Sequence, residues 1–130
     1  MNIKDLIVIS LILSIIFWAV FHQIASKYIN NNEILKSEIY GGSTYRNKSM
    51  DITNIELVIT MVTLINIINS FSEKALENFF KRRKFLIFNN VTLETSINII
   101  KNHKKLWFNI KISMFFMVLI IVFTTLFWIY

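Results

Sequence analysis

The chain has 130 residues, 55% of them hydrophobic, a net charge of +6, no Cys, no Pro and two Gly. Without thiols, disulfides and thiolate chemistry are excluded. So few Gly and Pro disfavour a turn-rich soluble domain, whereas helices that cross a bilayer keep their hydrogen bonds internal and need few turns.

Residues 6–25 are almost wholly apolar. A helix rises about 1.5 Å per residue and a bilayer core is roughly 30 Å thick, so about 20 such residues make a span. The run is too long for the apolar part of a signal peptide, and Gln23-Ile24-Ala25 is a poor small-x-small cleavage site, so it reads as a retained helix. Ser10 and Ser14 form a small-xxx-small pair that lets helices approach. Residues 26–53 form a polar connection with Asn30-Asn31-Asn32 and Gly41-Gly42-Ser43, and a short helix is expected over 33–40. Asn47-Lys48-Ser49 fits a glycosylation sequon, a frequent triplet in an Asn-rich chain.

The second expected span covers 54–71 and starts with Thr53-Asn54-Ile55-Glu56, a capping box. Glu56, Thr63, Ser70 and Glu77 recur every seven residues, with Thr53 and Thr60 in a parallel row and Asn66 and Glu73 on the trailing edge. A seven-residue period matches left-handed helix packing, so this stripe is expected to face protein and not lipid. Thr60, Thr63, Asn66, Ser70 and Glu77 are the candidate partner contacts. The pattern leaves open whether the partner is this chain's own helices or a second membrane protein.

Residues 72–107 form a basic connection. Leu93, Ile97, Ile100, Lys104 and Trp107 recur at spacings of three and four, predicting an amphipathic helix that runs into the third span. Ala75, Leu76, Phe79, Phe80, Arg83 and Ile87 repeat the pattern, so a helical hairpin turning at Asn89-Asn90 is expected. Arms lying flat on the inner leaflet are the alternative, and Phe85-Leu86-Ile87-Phe88 is the stretch that favours it. The third span, 108–130, is bracketed by Trp107 and by Trp128 with Tyr130; the 21 steps between the tryptophans give about 31 Å, close to the spacing of the two aromatic belts.

Nine of the fourteen basic residues lie in residues 72–111. The positive-inside rule then puts 72–111 and the N-terminus in the cytoplasm, and residues 26–53 and the C-terminus outside. Lys81, Arg82, Arg83, Lys84, Lys104 and Lys105 are read as topology determinants that meet anionic headgroups, which also makes nucleic acid an unneeded partner. The expected fold is thus all-α and integral to the membrane, with three spans and a cytoplasmic helical hairpin between the second and third. His22 and His103 have no carboxylate or thiol at metal-ligand spacing and form no catalytic arrangement; both read as interfacial polar residues. No phosphate loop exists, and no enzyme activity, metal or cofactor is expected.

Ser72-Glu73-Lys74-Ala75-Leu76-Glu77, followed by Phe79-Phe80 and basic residues, resembles the Ser-x-x-Ala-Ile/Leu-Glu segment after the second membrane helix of small immunity proteins against pore-forming colicins of the Ia type and related microcins. The three-span layout is similar too. The matching residues are Ser72, Ala75, Leu76 and Glu77. Where those proteins commonly carry a proline before the serine, this chain has Asn69-Ser70-Phe71, and its first connection is longer. The resemblance implies a bacterial inner-membrane protein that pairs with the channel-domain helices of a bacteriocin before the pore opens, and it adds Ser72 to the candidate contacts. Two readings from other classes compete. A structural subunit of an AT-rich organellar or bacterial membrane complex would co-purify in a large assembly. A holin or small pore-former would be lethal on expression.

Overall fold

The computed structural model describes residues 1–41, 50–83, 85, 88 and 90–130. The described elements are all helical: α1 (Ile3–Asn31), α2 (Glu33–Tyr40), α3 (Ile52–Phe71), α4 (Glu73–Arg82), α5 (Leu93–Asn102) and α6 (Lys104–Ile129). Of these, α1, α3 and α6 are long and apolar enough to cross a membrane. The short helix α2 lies where the polar connection was expected to hold one. Gly42, Ser43, the Asn47-Lys48-Ser49 sequon, Lys84, Leu86, Ile87 and Asn89 lie outside the described residues.

With no proline to start helices, side-chain caps do that work. Asn32 accepts a hydrogen bond from the Leu35 N–H, Asp51 from Asn54, Ser72 from Ala75 and Thr92 from Thr95, each satisfying one orphan donor of α2, α3, α4 or α5. Such a cap is worth about 1 kcal/mol. Two sequence expectations change here. The cap of α3 is Asp51, two residues before the Thr53 capping box, so Thr53 lies within the first turn. The hairpin arms also do not continue the long helices: the chain is extended at Ser72, and α5 ends at His103 before α6 begins.

The chain forms two compact units. The first joins Met1–Ala25 to Phe108–Tyr130. In it Ile7 and Ser14 of α1 and Asn109, Ile110 and Ser113 of α6 are buried, and Phe116 stacks on Phe17 with ring centroids 5.1 Å apart. The Ser14 hydroxyl donates to the Ser10 carbonyl at 2.7 Å, so the small pair gives a satisfied, close-packing surface. Most of both helices stays bare, including Ile9, Ile12, Ile16, Phe115, Val118 and Ile121. Apolar faces of this kind suit contact with lipid.

The second unit is Ser26–Trp107. Its core is built from Ile29, Leu35, Ile39, Val58, Val62, Ile65, Leu76, Ile99 and Leu106. Within it α3 packs on α4 and α5, α4 on α5, and α2 on α5. The α4–α5 pair is the expected hairpin, with Asn90 in the turn and the Val91 N–H bonded to the Phe88 carbonyl. Phe88 is buried against Tyr40, and Phe85 packs on Phe79 and Phe80.

Two hydrogen bonds join the α2 segment to residues on either side of α5. The Asn90 amide donates to the Tyr40 carbonyl at 3.0 Å, and His103 lies 2.8 Å from Glu38. Groups in hydrogen-bond contact cannot have a hydrocarbon core of roughly 30 Å between them.

Gly41 shows how tightly this body closes. Its φ of 70° ends α2 in the left-handed region, where its N–H reaches the Ser37 carbonyl, and a Cβ there would lie 3.0 Å from Asn90 Cγ. Gly41→Ala is expected to lower stability by about 1–2 kcal/mol, from the left-handed penalty and the contact together. Thermal unfolding of the full chain in detergent measures it, and the loss should shrink when Asn90→Ala removes the obstructing side chain.

Candidate partner-binding site

The face of α3 that is buried consists of Val58, Met61, Val62, Ile65 and Asn66, an i, i+3, i+4, i+7, i+8 pattern. The polar stripe falls beside it. Asn66 is 8% exposed, Thr63 is half-buried, and Thr60 and Ser70 are exposed. Each stripe residue satisfies its own helix: Thr60 Oγ1 donates to the Glu56 carbonyl at 2.9 Å, Thr63 Oγ1 to Ile59 at 2.7 Å, Asn66 Nδ2 to Val62 at 2.8 Å and Ser70 Oγ to Ile67 at 2.6 Å. Such back-bonding uses the donor and leaves oxygen lone pairs for a visitor.

The resemblance-bearing residues meet at the α3–α4 junction. Ser72 is extended, and its Oγ accepts from the Ala75 N–H at 3.0 Å, which starts α4 at a new angle. Leu76 is 1% exposed and pins α4 to the core, while Glu77 on the adjacent position is exposed. Beside this junction lies a cavity of about 210 Å³. Asn69, Glu73, Leu76 and Glu77 form one wall. Leu93, Ile97, Ile100 and Lys101 of α5 form the other. The structure therefore places Glu77 on the cavity wall and Ser72 at the cap of the same helix, and leaves Thr60 and Ser70 along the exposed side of α3.

The residues that turn inward on the α5–α6 side are Ser96, Ile99, His103 and Leu106, not the Leu93, Ile97 and Ile100 set singled out by pattern. His103 is 4% exposed. Its Nδ1 lies 2.7 Å from the Tyr28 hydroxyl and its Nε2 2.8 Å from Glu38 Oε2. With Glu38 ionised, Nε2–H donates to the carboxylate; Nδ1 then accepts from Tyr28 in the neutral ring and donates to it in the imidazolium. The chain thus has a Tyr–His–Glu cluster that the sequence reading treated as an isolated interfacial histidine. Separations of 75 and 65 residues leave no local signal for it. His22, the other histidine, stacks on Trp18 at 5.5 Å. Among the described residues no group of three or more His, Asp and Glu side chains could hold a metal ion.

Lys81 and Arg82 occupy the last turn of α4, where cations favour the helix dipole, and Arg83 caps that helix through its N–H to the Phe79 carbonyl. Lys104 and Lys105 open α6, the end where the dipole disfavours cations, so local helix stability does not explain them. All five are exposed. No known protein family, curated protein or solved structure matches the chain.

His103→Leu should cost about 2–4 kcal/mol, because it strands a largely buried carboxylate and a phenol without partners. Glu38→Gln, which can still accept from the ring, should cost less. Urea or thermal unfolding of both variants checks the order.

Proposed function

We propose that this chain is a multi-pass immunity protein of a bacterial inner membrane that protects its cell by binding the pore-forming helices of a bacteriocin before the channel opens. The observation that supports this reading is that Ser72 caps α4 while Leu76 and Glu77 of the same helix line a cavity. A contact site needs side chains held rigidly by their own scaffold, and here one residue caps, one anchors and one projects. The bare apolar faces of α1 and α6 supply the surface for pairing inside the bilayer, where helices associate by packing and polar contacts.

The topology that fits this reading has α1 and α6 as the spans and the whole of Ser26–Trp107 on the cytoplasmic side. Support comes from the hydrogen bonds joining its segments and from charge. Lys27 and Lys36 follow the apolar run of α1, and Lys101, Lys104 and Lys105 precede that of α6, whereas Lys4, in the first turn of α1, is the one lysine before its apolar run. A subunit of a larger membrane complex is the second reading, favoured by the same bare faces.

Expression is expected to raise the tolerated dose of one pore-forming bacteriocin at least tenfold. Ser72→Ala should weaken that protection and Ser72→Asn should keep it, since asparagine also caps. Normal growth, no resistance to any of a panel of pore-formers and migration in a large native assembly would favour the subunit reading instead.

The cysteine-free chain allows a clean topology test. Single cysteines at Glu33 and Asn98 should both resist an impermeant maleimide until the inner membrane is opened. Labelling of Glu33→Cys alone from the intact outer side would restore the two-faced arrangement.

A further inference from the structure

We infer that the cavity between the α3–α4 junction and α5 is a docking groove for a short basic amphipathic helix of the partner protein. This rests on the reading of the chain as a partner-binding membrane protein and names the chemistry that its site recognises.

The groove has a consistent design. Leu93, Ile97 and Ile100 are the apolar stripe of α5, yet all three are only half covered, because α5 turns Ser96 and Ile99 into the core instead. An amphipathic helix that leaves its apolar stripe over a cavity has a surface still to be buried. Leu76 continues this floor from the α4 side. The rim is acidic: Glu73 and Glu77 are one helical turn apart on one face of α4, and Asn69 lines the groove from the end of α3. Opposite them stands one cation, Lys101. The groove thus carries a formal charge of −1 in a protein of +6.

That contrast selects the occupant. Anionic lipid headgroups and acidic peptides are repelled by the two carboxylates. A helix with leucine-like side chains and a lysine or arginine pair four residues apart matches both floor and rim. Its long basic side chains would lay their stems on Ile97 and Ile100 and carry their charges to Glu73 and Glu77. From Leu93 to Lys101 the groove rises about 12 Å, so it reads about two helical turns. This is the helix-in-groove mode of recognition.

The test uses the full chain in phosphatidylcholine nanodiscs, with isoleucine methyl groups labelled for NMR. The probe is a 14-residue helical peptide of Leu, Ala and Gln with two lysines four residues apart. A scrambled peptide of the same composition and one with both lysines changed to norleucine are the controls. The expected result is saturable shifts of the Ile97 and Ile100 methyls with the ordered basic peptide alone, and about tenfold weaker binding to Glu73→Gln/Glu77→Gln. Both substitutions are on exposed side chains, and an unchanged methyl spectrum of the free variant confirms its fold. Equal binding of the scrambled peptide, absence of shifts, or unchanged affinity in the double variant would overturn the groove. Resistance assays run in parallel separate the two ideas. Peptide binding without protection leaves the groove and removes immunity; protection without peptide binding does the reverse.

Discussion

The imidazole of His103 is the point on which the Ser26–Trp107 body depends. It sits at the break between α5 and α6 and holds Tyr28 near the end of α1 and Glu38 in α2, so one ring ties together segments from both ends of the body. A buried polar cluster of this kind adds little net energy when complete, but incomplete it is costly. It therefore acts mainly as a specificity device. Alternative packings in which α2 slides along α5 lose the Glu38 bond to the ring. The Asn90 amide on the Tyr40 carbonyl adds a second fixed point, and the left-handed Gly41 gives the backbone room to pass it.

Membrane helices and their approximate limits were legible because apolar runs of spanning length admit few other structures. The 33–40 helix was legible as well, from Asn32 before it and Gly41 after it. What was not legible has physical reasons. The breaks at Ser72 and His103 carry neither Gly nor Pro. The signal at Ser72 was a serine followed by Glu73, an N-cap with an acidic first turn, and the family resemblance drew attention to the residue without disclosing the break. On α3 almost every position is apolar, so its buried face had no contrast to stand against, and the hydroxyls drew the eye to a neighbouring face. Those hydroxyls bond to carbonyls of their own helix, an option that a heptad count does not include. Glu77 was named from the sequence, but its cavity needed α5 to be placed opposite α4, and no periodicity encodes that.

Charge has two uses in this molecule, at different ranges. Basic residues beside apolar helices, as Lys101, Lys104 and Lys105 are here, act over the width of an anionic headgroup region. Glu73 and Glu77 act over a few ångströms, within a surface whose general potential is positive. Local carboxylates in such surroundings discriminate better than the same pair on a neutral protein, because wrong partners that are acidic meet repulsion from the rim, while basic partners are held off everywhere except there.

The long sequence separations behind the His103 contacts also bear on biogenesis. The helix α3 is apolar enough to enter a membrane by itself, and α5 and His103 emerge only about thirty residues later. At roughly 5–20 residues per second, that leaves α3 with α4 but without α5 for about 2–6 s of synthesis. Its final place is then decided by a race between the insertion machinery and the late-arriving α5. The stripe of Glu56, Thr60, Thr63, Asn66 and Ser70, whatever else it contacts, lowers the pull of the bilayer on α3 during that interval.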